Sequence, residues 1–325
     1  MNKIAQQLLN QIEEALGSVI PEGQEPKGLY DPIRYALQMG GKRLRPMLLL
    51  WVCGAFSTEA PSGSAMAVAK AVEVFHNFTL LHDDLMDNAP TRRGKPTVYR
   101  KWDANTAILS GDAMMIKAFQ ELQTLAPSEL NLIYHEFVKM ALEVCEGQQY
   151  DMEFEHQEGV TELQYLEMIR LKTACLIASA MKMGALLGGA TQTDAEKVYR
   201  AGNAFGLAFQ LVDDYLDAFG TDAFGKQIGG DILAEKRSYP YLLTQEAEQN
   251  SEAWRLAWQQ PDPTQKINAV LELYRKNGTD KKLKEKVAAL TQTALKELES
   301  ITHTQARKNI APIGELMVQL MDRCI

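Results

Sequence analysis

Apolar residues recur three and four positions apart through nearly all of this 325-residue chain, the spacing of a helical face. No stretch alternates polar and β-branched apolar residues as a half-buried strand does. The pattern therefore predicts an all-α fold of ten or more helices. Helix breakers fall in clusters: PEGQEPKG at 21–28, APSG at 60–63, NAPTRRGKP at 88–96 and FGTDAFGKQIGGD at 219–231. These separate helices rather than domains, and no Ser/Gly-rich or Pro-rich linker divides the chain, so residues 1–325 are expected to form one domain. The most apolar run, Pro46 to Phe56, is shorter than a bilayer requires. The small-residue stretch from Ala174 to Ala190 is interrupted by Lys182. Both are expected to be buried helices. The amphipathic N-terminus carries acids and does not read as a secretory leader.

Composition adds two exclusions. The chain is 46% hydrophobic and 23% charged, as a soluble globular protein is, and its formal charge of −8 argues against nucleic acid as a partner. Cys53, Cys145, Cys175 and Cys324 show no metal-site spacing, which predicts buried thiols in a reducing, cytoplasmic setting.

Two predicted helices end in acid. One, from about Ala65 to Asp87, closes on HDDLMD; the other, from about Ala195 to Phe219, closes on VDDYLD and then Ala-Phe. A helix C-terminus already carries partial negative charge, so three aspartates there are doubly unfavourable without cations. Asp83 and Asp87 are four apart and share a face, with Asp84 beside Asp83; Asp213 and Asp217 repeat the spacing around Asp214. A single such cluster is ordinarily a solvated helix end. Two of them on apolar helices point to divalent metal. Hard carboxylate oxygens without His or Cys at ligand spacing suit magnesium or manganese and not zinc. Magnesium takes one or two carboxylates and completes its shell with water and phosphate, which introduces a diphosphate as the ligand. Cations stand ready for it. GGKRLRP offers Lys42, Arg43 and Arg45 at a helix start behind two glycines, and Arg92, Arg93 and Lys95 follow the first acidic helix.

These residues resemble the trans-isoprenyl diphosphate synthases, the polyprenyl synthetase family. The likeness runs in order through GGKRLRP, HNFTLLHDDLMD, TRRGKPT, GDAM, GQQYD, KTA, FQLVDDYLD, FGKQIGGD and EKRSYP, over roughly residues 30–245. It implies an isoprenoid synthase-type helical bundle with a deep central cavity, assembled as a homodimer. The implied reaction joins isopentenyl diphosphate to an allylic diphosphate (dimethylallyl, geranyl or farnesyl) with about three magnesium ions, manganese being an alternative. By position, Lys42, Arg45 and His76, helped by Arg93, would bind isopentenyl diphosphate. Asp83 and Asp87 would hold two metal ions and Asp213 the third, with Asp84 and Asp217 in support. Arg92, Lys172, Lys226 and Lys236 would hold the allylic diphosphate, and Thr173 and Gln210 would line the path of the carbocation. A lone histidine on an apolar helix is ordinarily a core residue, but His76 lies seven residues before Asp83, on nearly the same face.

Product length is read from the helix below Asp83. At about 1.5 Å per residue, Phe78 lies roughly 7 Å and Phe75 roughly 12 Å below the aspartate, while small Thr79 leaves one turn open. As a floor, the two rings imply fifteen or twenty carbons, with a slight lean to twenty; as ordinary core packing they imply nothing. Two other functions fit parts of the pattern. A terpene cyclase would use an acidic helix end but leave Lys42, Arg45 and His76 without purpose. A non-catalytic partner subunit would not need both acidic motifs.

Overall fold

The computed structural model describes residues 3–58, 63–220, 228–249 and 251–322. Sixteen α-helices lie among them. They begin with α1 (Lys3–Gly17), α2 (Lys27–Leu37), α3 (Leu44–Phe56) and α4 (Gly63–Met86). A hairpin of two-residue strands, β1 (Thr91–Arg92) and β2 (Lys95–Pro96), leads into α5 (Val98–Lys101), α6 (Ala104–Leu122), α7 (Pro127–Phe154) and α8 (Glu162–Ile169). A π-helical turn, Arg170–Ala174, then joins α8 to α9 (Cys175–Leu187), followed by α10 (Gln192–Phe219) and α11 (Gly230–Leu233). The chain continues through α12 (Tyr239–Glu248), α13 (Glu252–Trp258), α14 (Pro263–Lys276), α15 (Thr279–Glu299) and α16 (Thr304–Met321). The all-α expectation holds. The hairpin is new, its strands being too short to show alternation in sequence.

Two compact units divide the chain. The first comprises residues 1–141, 179–199 and 301–310; the second comprises residues 142–178, 200–300 and 311–325. In the first, α3 is apolar all round and buries eleven of its thirteen residues, with α1 and α4 packed on it and α6 packed on α4. The small-residue stretch expected to be buried is so, with Ala180, Met181, Met183 and Ala185 fully enclosed. Its glycines set the distance to α3: a Cβ on Gly184 would stand 2.2 Å from the Leu49 carbonyl oxygen, and one on Gly188 would stand 2.5 Å from that of Cys53. In the second unit α12 packs on α8, α14 and α15, and α11 on α14.

Helix starts follow local chemistry. Asp103 accepts the Thr106 N–H to open α6, and Thr161 and Gln164 form a reciprocal capping box on α8. The π turn has a different cause. A Cβ on Gly147 would lie 2.2 Å from the Lys172 nitrogen, and one on Gly206 would lie 2.5 Å from the Ala174 Cα. Two neighbouring helices thus lack a side chain where the widened turn swells toward them.

Cys53 and Cys175 are buried as expected, but Cys145 is exposed, one position off the inward stripe of Met140, Val144 and Gly147 on α7. Cys324 and Lys226 lie outside the described residues. No helix among the described residues is long and apolar enough to cross a membrane. Gly184→Ala is expected to lower stability by about 1–3 kcal/mol, because the α3 backbone must retreat. An unchanged urea midpoint would show that the two helices separate freely.

Candidate active site

The glycine-led loop before α3 sorts its cations by burial. Gly40 and Gly41 adopt φ of 80° and 140°, and Arg43 follows in the left-handed region at 45°. That turn sends Arg43 inward. Its Nε donates to Glu13 Oε1 at 2.8 Å, Nη1 to Glu73 Oε1 at 2.8 Å and Nη2 to the Leu37 carbonyl at 2.5 Å. Lys42 is left exposed and Arg45 half-buried. Arg45 Nη1 lies 3.0 Å from His76 Nε2. A guanidinium only donates, so His76 accepts at Nε2 and carries its proton on Nδ1. Burial, and the positive charges of Arg45, Arg93, Arg92 and Arg43, hold the imidazole well below its usual pKa. Arg93 reaches the same loop across the hairpin. Positive φ at Arg93 (53°) and Gly94 (75°) makes a type I′ turn, and the Arg93 guanidinium lies where a Cβ on Gly41 would be, 2.6 Å from Nη1.

At the end of α4 the Asp87 N–H donates to the Asp83 carbonyl at 2.9 Å, which keeps the two residues one turn apart on one face. Asp84 is turned in, only 4% exposed, and accepts from Arg92 Nε at 2.8 Å; Arg92 Nη2 is 3.7 Å from Asp83. Burial, reinforced by Asp83 and Asp87 and opposed by Arg92, pushes the Asp84 carboxyl up to about 6. Below the acids, Phe75 and Phe78 are buried with ring centroids 5.4 Å apart. Phe75 meets Phe137 of α7 at 5.9 Å, Phe137 meets Phe119 of α6 at 5.3 Å, and Phe78 lies edge-on to His82 at 4.9 Å. The Thr79 hydroxyl is bonded back to the His76 carbonyl at 2.8 Å. The pair of rings read from sequence is thus part of a larger aromatic cluster.

In the second unit Lys172, Thr173, Gln210, Asp214, Asp151 and Lys236 line one cavity of about 120 Å³. Lys172 Nζ is 2.6 Å from Asp151 Oδ2. The Thr173 hydroxyl is 3.2 Å from Gln210 Oε1, and Gln210 Nε2 is 3.2 Å from Asp214 Oδ1. Asp214 is 4% exposed and also meets the Tyr165 hydroxyl at 2.5 Å and the Tyr239 N–H at 3.3 Å. Burial and nearby Asp231 push its carboxyl up to about 7, while those donors pull it down. Asp213 and Asp217 are half-buried on either side, and Asp217 Oδ2 accepts the Asp231 N–H at 3.1 Å.

Among the described residues no three His, Cys, Asp or Glu side chains gather into a group that could hold an ion alone. The acids stand instead as pairs one helical turn apart. That donor set fits a hard divalent cation that completes its shell with water and phosphate.

The polyprenyl synthetase family model matches residues 26–275. The chain belongs to the polyprenyl synthetase family. Like other members it is an all-α prenyltransferase. The geranylfarnesyl diphosphate synthase of Natronomonas pharaonis is 33% identical over 325 residues, covering 95% of this chain and 94% of that one. The geranylgeranyl diphosphate synthase of Methanosarcina mazei is 41% identical over 228 residues, 69% of each chain. A crystal structure of a geranylgeranyl pyrophosphate synthase superposes with a TM-score of 0.91 at 41% identity, over 99% of both chains. The geranylgeranyl pyrophosphate synthetase of Pyrococcus horikoshii Ot3 does so at 0.88 and 30%, over 98% of both.

In this family member, Arg45, His76 and Arg93 come together around the loop that carries Lys42. Asp83 and Asp87 form one pair at the end of α4, with Arg92 on the adjoining Asp84. Lys172, Thr173, Gln210 and Lys236 share the cavity of the second unit, and Asp213 and Asp217 flank its buried Asp214. Sequence reasoning gave no role to Asp151, Tyr165 or Asp231. Asp151 lies within GQQYD and had a motif to point to it, whereas Tyr165 is one more aromatic on an amphipathic helix.

His76 fixes the sign of one pH effect. Unfolded, its pKa is about 6.5. Folded, it is lower, so between the two values the unfolded chain holds the extra proton and stability falls as pH drops. Relative to His76→Gln, the wild type is expected to lose up to about 1.4 kcal/mol of unfolding free energy per pH unit below pH 6.5. A wild-type-minus-variant difference that stays flat from pH 6.5 to 5 would show that the folded imidazole is not held neutral.

Proposed function

We propose that this chain is a short-chain prenyltransferase that condenses isopentenyl diphosphate with an allylic diphosphate, giving a fifteen- to twenty-carbon prenyl diphosphate with a slight preference for twenty. The observation that carries this reading is common to both acidic motifs. Each buries its central aspartate on a protein donor and carries two further aspartates, one turn apart, in less buried positions on either side of it. Geranylgeranyl and geranylfarnesyl synthases among the relatives support the reaction class.

In this reading Lys42, Arg45, His76 and Arg93 hold isopentenyl diphosphate by charge and hydrogen bonds alone, so that its own C–O bond stays intact. Arg92, Lys172, Lys226 and Lys236 bind the allylic diphosphate as fixed positive charge. Magnesium or manganese fits at Asp83 and Asp87 and again at Asp213, with Asp84 and Asp217 in support; when bound, such an ion supplies Lewis acidity to the leaving diphosphate. The allylic C–O bond breaks, and its electron pair departs with the diphosphate. The isopentenyl double bond then attacks the allylic carbon, and a proton leaves the carbon beside the new cation for the released diphosphate. Thr173 and Gln210 offer dipoles to the cation without a strong nucleophile.

Phe75 and Phe78, braced by Phe119 and Phe137, form the floor that limits the tail. We read the chain as a single domain, since α7, α9, α10 and α16 each contribute residues to both units. Exposed Ile108, Leu109 and Ile116 on α6, and Leu132, Tyr134 and Val138 on α7, support self-association as a homodimer.

The test is product chromatography after incubation with magnesium, isopentenyl diphosphate and geranyl diphosphate. An elongated prenyl alcohol after phosphatase treatment is expected; a cyclic hydrocarbon or no turnover would refute the assignment. Asp83→Ala and Asp213→Ala are each expected to cut turnover at least a hundredfold, roughly the loss of one strong transition-state interaction, with the helical circular dichroism unchanged. Near-normal rates in both would sink the metal assignment. Phe78→Ala is expected to lengthen the product by one or more isoprene units, and an unchanged product would remove the floor.

A further inference from the structure

A carbocation is stabilised by oxygen lone pairs and gains nothing from a hydroxyl proton aimed at it. A threonine hydroxyl can present either. Which one it presents is set by the partner that takes its proton, and here that partner can be traced through three side chains.

Asp214 is buried, and its oxygens meet the Tyr165 hydroxyl at 2.5 Å, the Tyr239 backbone N–H at 3.3 Å and Gln210 Nε2 at 3.2 Å. Gln210 thus turns its NH₂ toward an Asp214 oxygen, and its carbonyl faces the other way. That carbonyl lies 3.2 Å from the Thr173 hydroxyl. A carbonyl also only accepts, so Thr173 gives it its one proton and keeps both lone pairs for the cavity it lines. The first contact in the chain is the shortest of the four. Tyr165 is buried on α8, its ring 6.0 Å from that of Tyr239, and its hydroxyl is what holds Asp214 in register.

We propose that Tyr165 is a positioning residue for the condensation. Through Asp214 and Gln210 it commits the Thr173 proton away from the reacting carbon and leaves the hydroxyl lone pairs facing the developing cation. This rests on the prenyl-transfer reading above. Without the Tyr165 hydroxyl the Gln210 amide loses its fixed orientation, and the Thr173 hydroxyl is free to rotate its proton toward the substrate. Binding of either diphosphate is expected to change little, because Tyr165, although it lines the same cavity, commits its hydroxyl to Asp214.

A double-mutant cycle in kcat tests it. The wild-type protein is assayed first, with magnesium, isopentenyl diphosphate and geranyl diphosphate. Absence of elongated product there overturns the reaction and this proposal together. Given turnover, Tyr165→Phe is expected to lower kcat roughly tenfold, the scale of one lost hydrogen bond in the transition state, with KM for each diphosphate within about twofold. In a Thr173→Val background the same change is expected to cost less than about twofold, since the hydroxyl it serves is gone. In Thr173→Ser the full loss returns. Losses that multiply in Tyr165→Phe/Thr173→Val, or a change that falls on KM, overturn the proposal while leaving the reaction standing. Should Tyr165→Phe not fold by circular dichroism, Asp214→Asn breaks the relay one link later and faces the same comparison with Thr173→Val.

Discussion

Arg43, Asp84 and Asp214 carry ionisable groups into the interior, where an unpartnered charge costs several kcal/mol. Each sits in the middle of a charged motif and each has an internal partner: Glu13 and Glu73 for Arg43, Arg92 for Asp84, and Tyr165, Gln210 and the Tyr239 backbone for Asp214. Much of the local architecture follows from meeting that demand. The left-handed turn at Arg43 lets its guanidinium reach Glu73. The hairpin after α4 brings Arg92 back onto Asp84, and α8 brings Tyr165 to Asp214.

The buried central residue has a second effect. It pins the helix end or loop in one rotation, which fixes the direction in which its neighbours face. Asp83 and Asp87 keep their one-turn spacing through the backbone hydrogen bond between them, while Asp84 is anchored on Arg92. Lys42 and Arg45 are presented because Arg43 is not. A motif written as a run of like charges thus holds one buried charge flanked by more exposed ones.

The sequence showed the helices and their order because amphipathic period and breakers are local properties. The ends of α4 and α10 fell within a few residues of expectation, and the burial of α3 and of the small-residue helix was legible from their apolar faces. The cationic loop and both acidic pairs were visible as motifs. Pairings between distant residues were not, since nothing in the order of residues reveals that Tyr165 meets Asp214 or that Arg93 settles on Gly41. Nor could spacing tell a displayed aspartate from an interior one; that depends on which side of the helix the core lies. Phe119 and Phe137 joined the aromatic cluster unseen because they come from helices forty and sixty positions away. Cys145 turned out exposed because a single step around a helix separates the inner stripe from the outer face.

The π turn at Arg170–Ala174 has a consequence for the helix beyond it. Such a turn accommodates a surplus residue, so Lys172 and Thr173 can face the cavity while Ala174 stays buried against Gly206. Excising one residue would restore regular α-helical bonding yet rotate all that follows by about 100°. The helix would be locally more ideal, and Ala174 would no longer lie against the bare face of Gly206. The irregular turn is the phase correction that lets a packed residue and two cavity residues stand side by side.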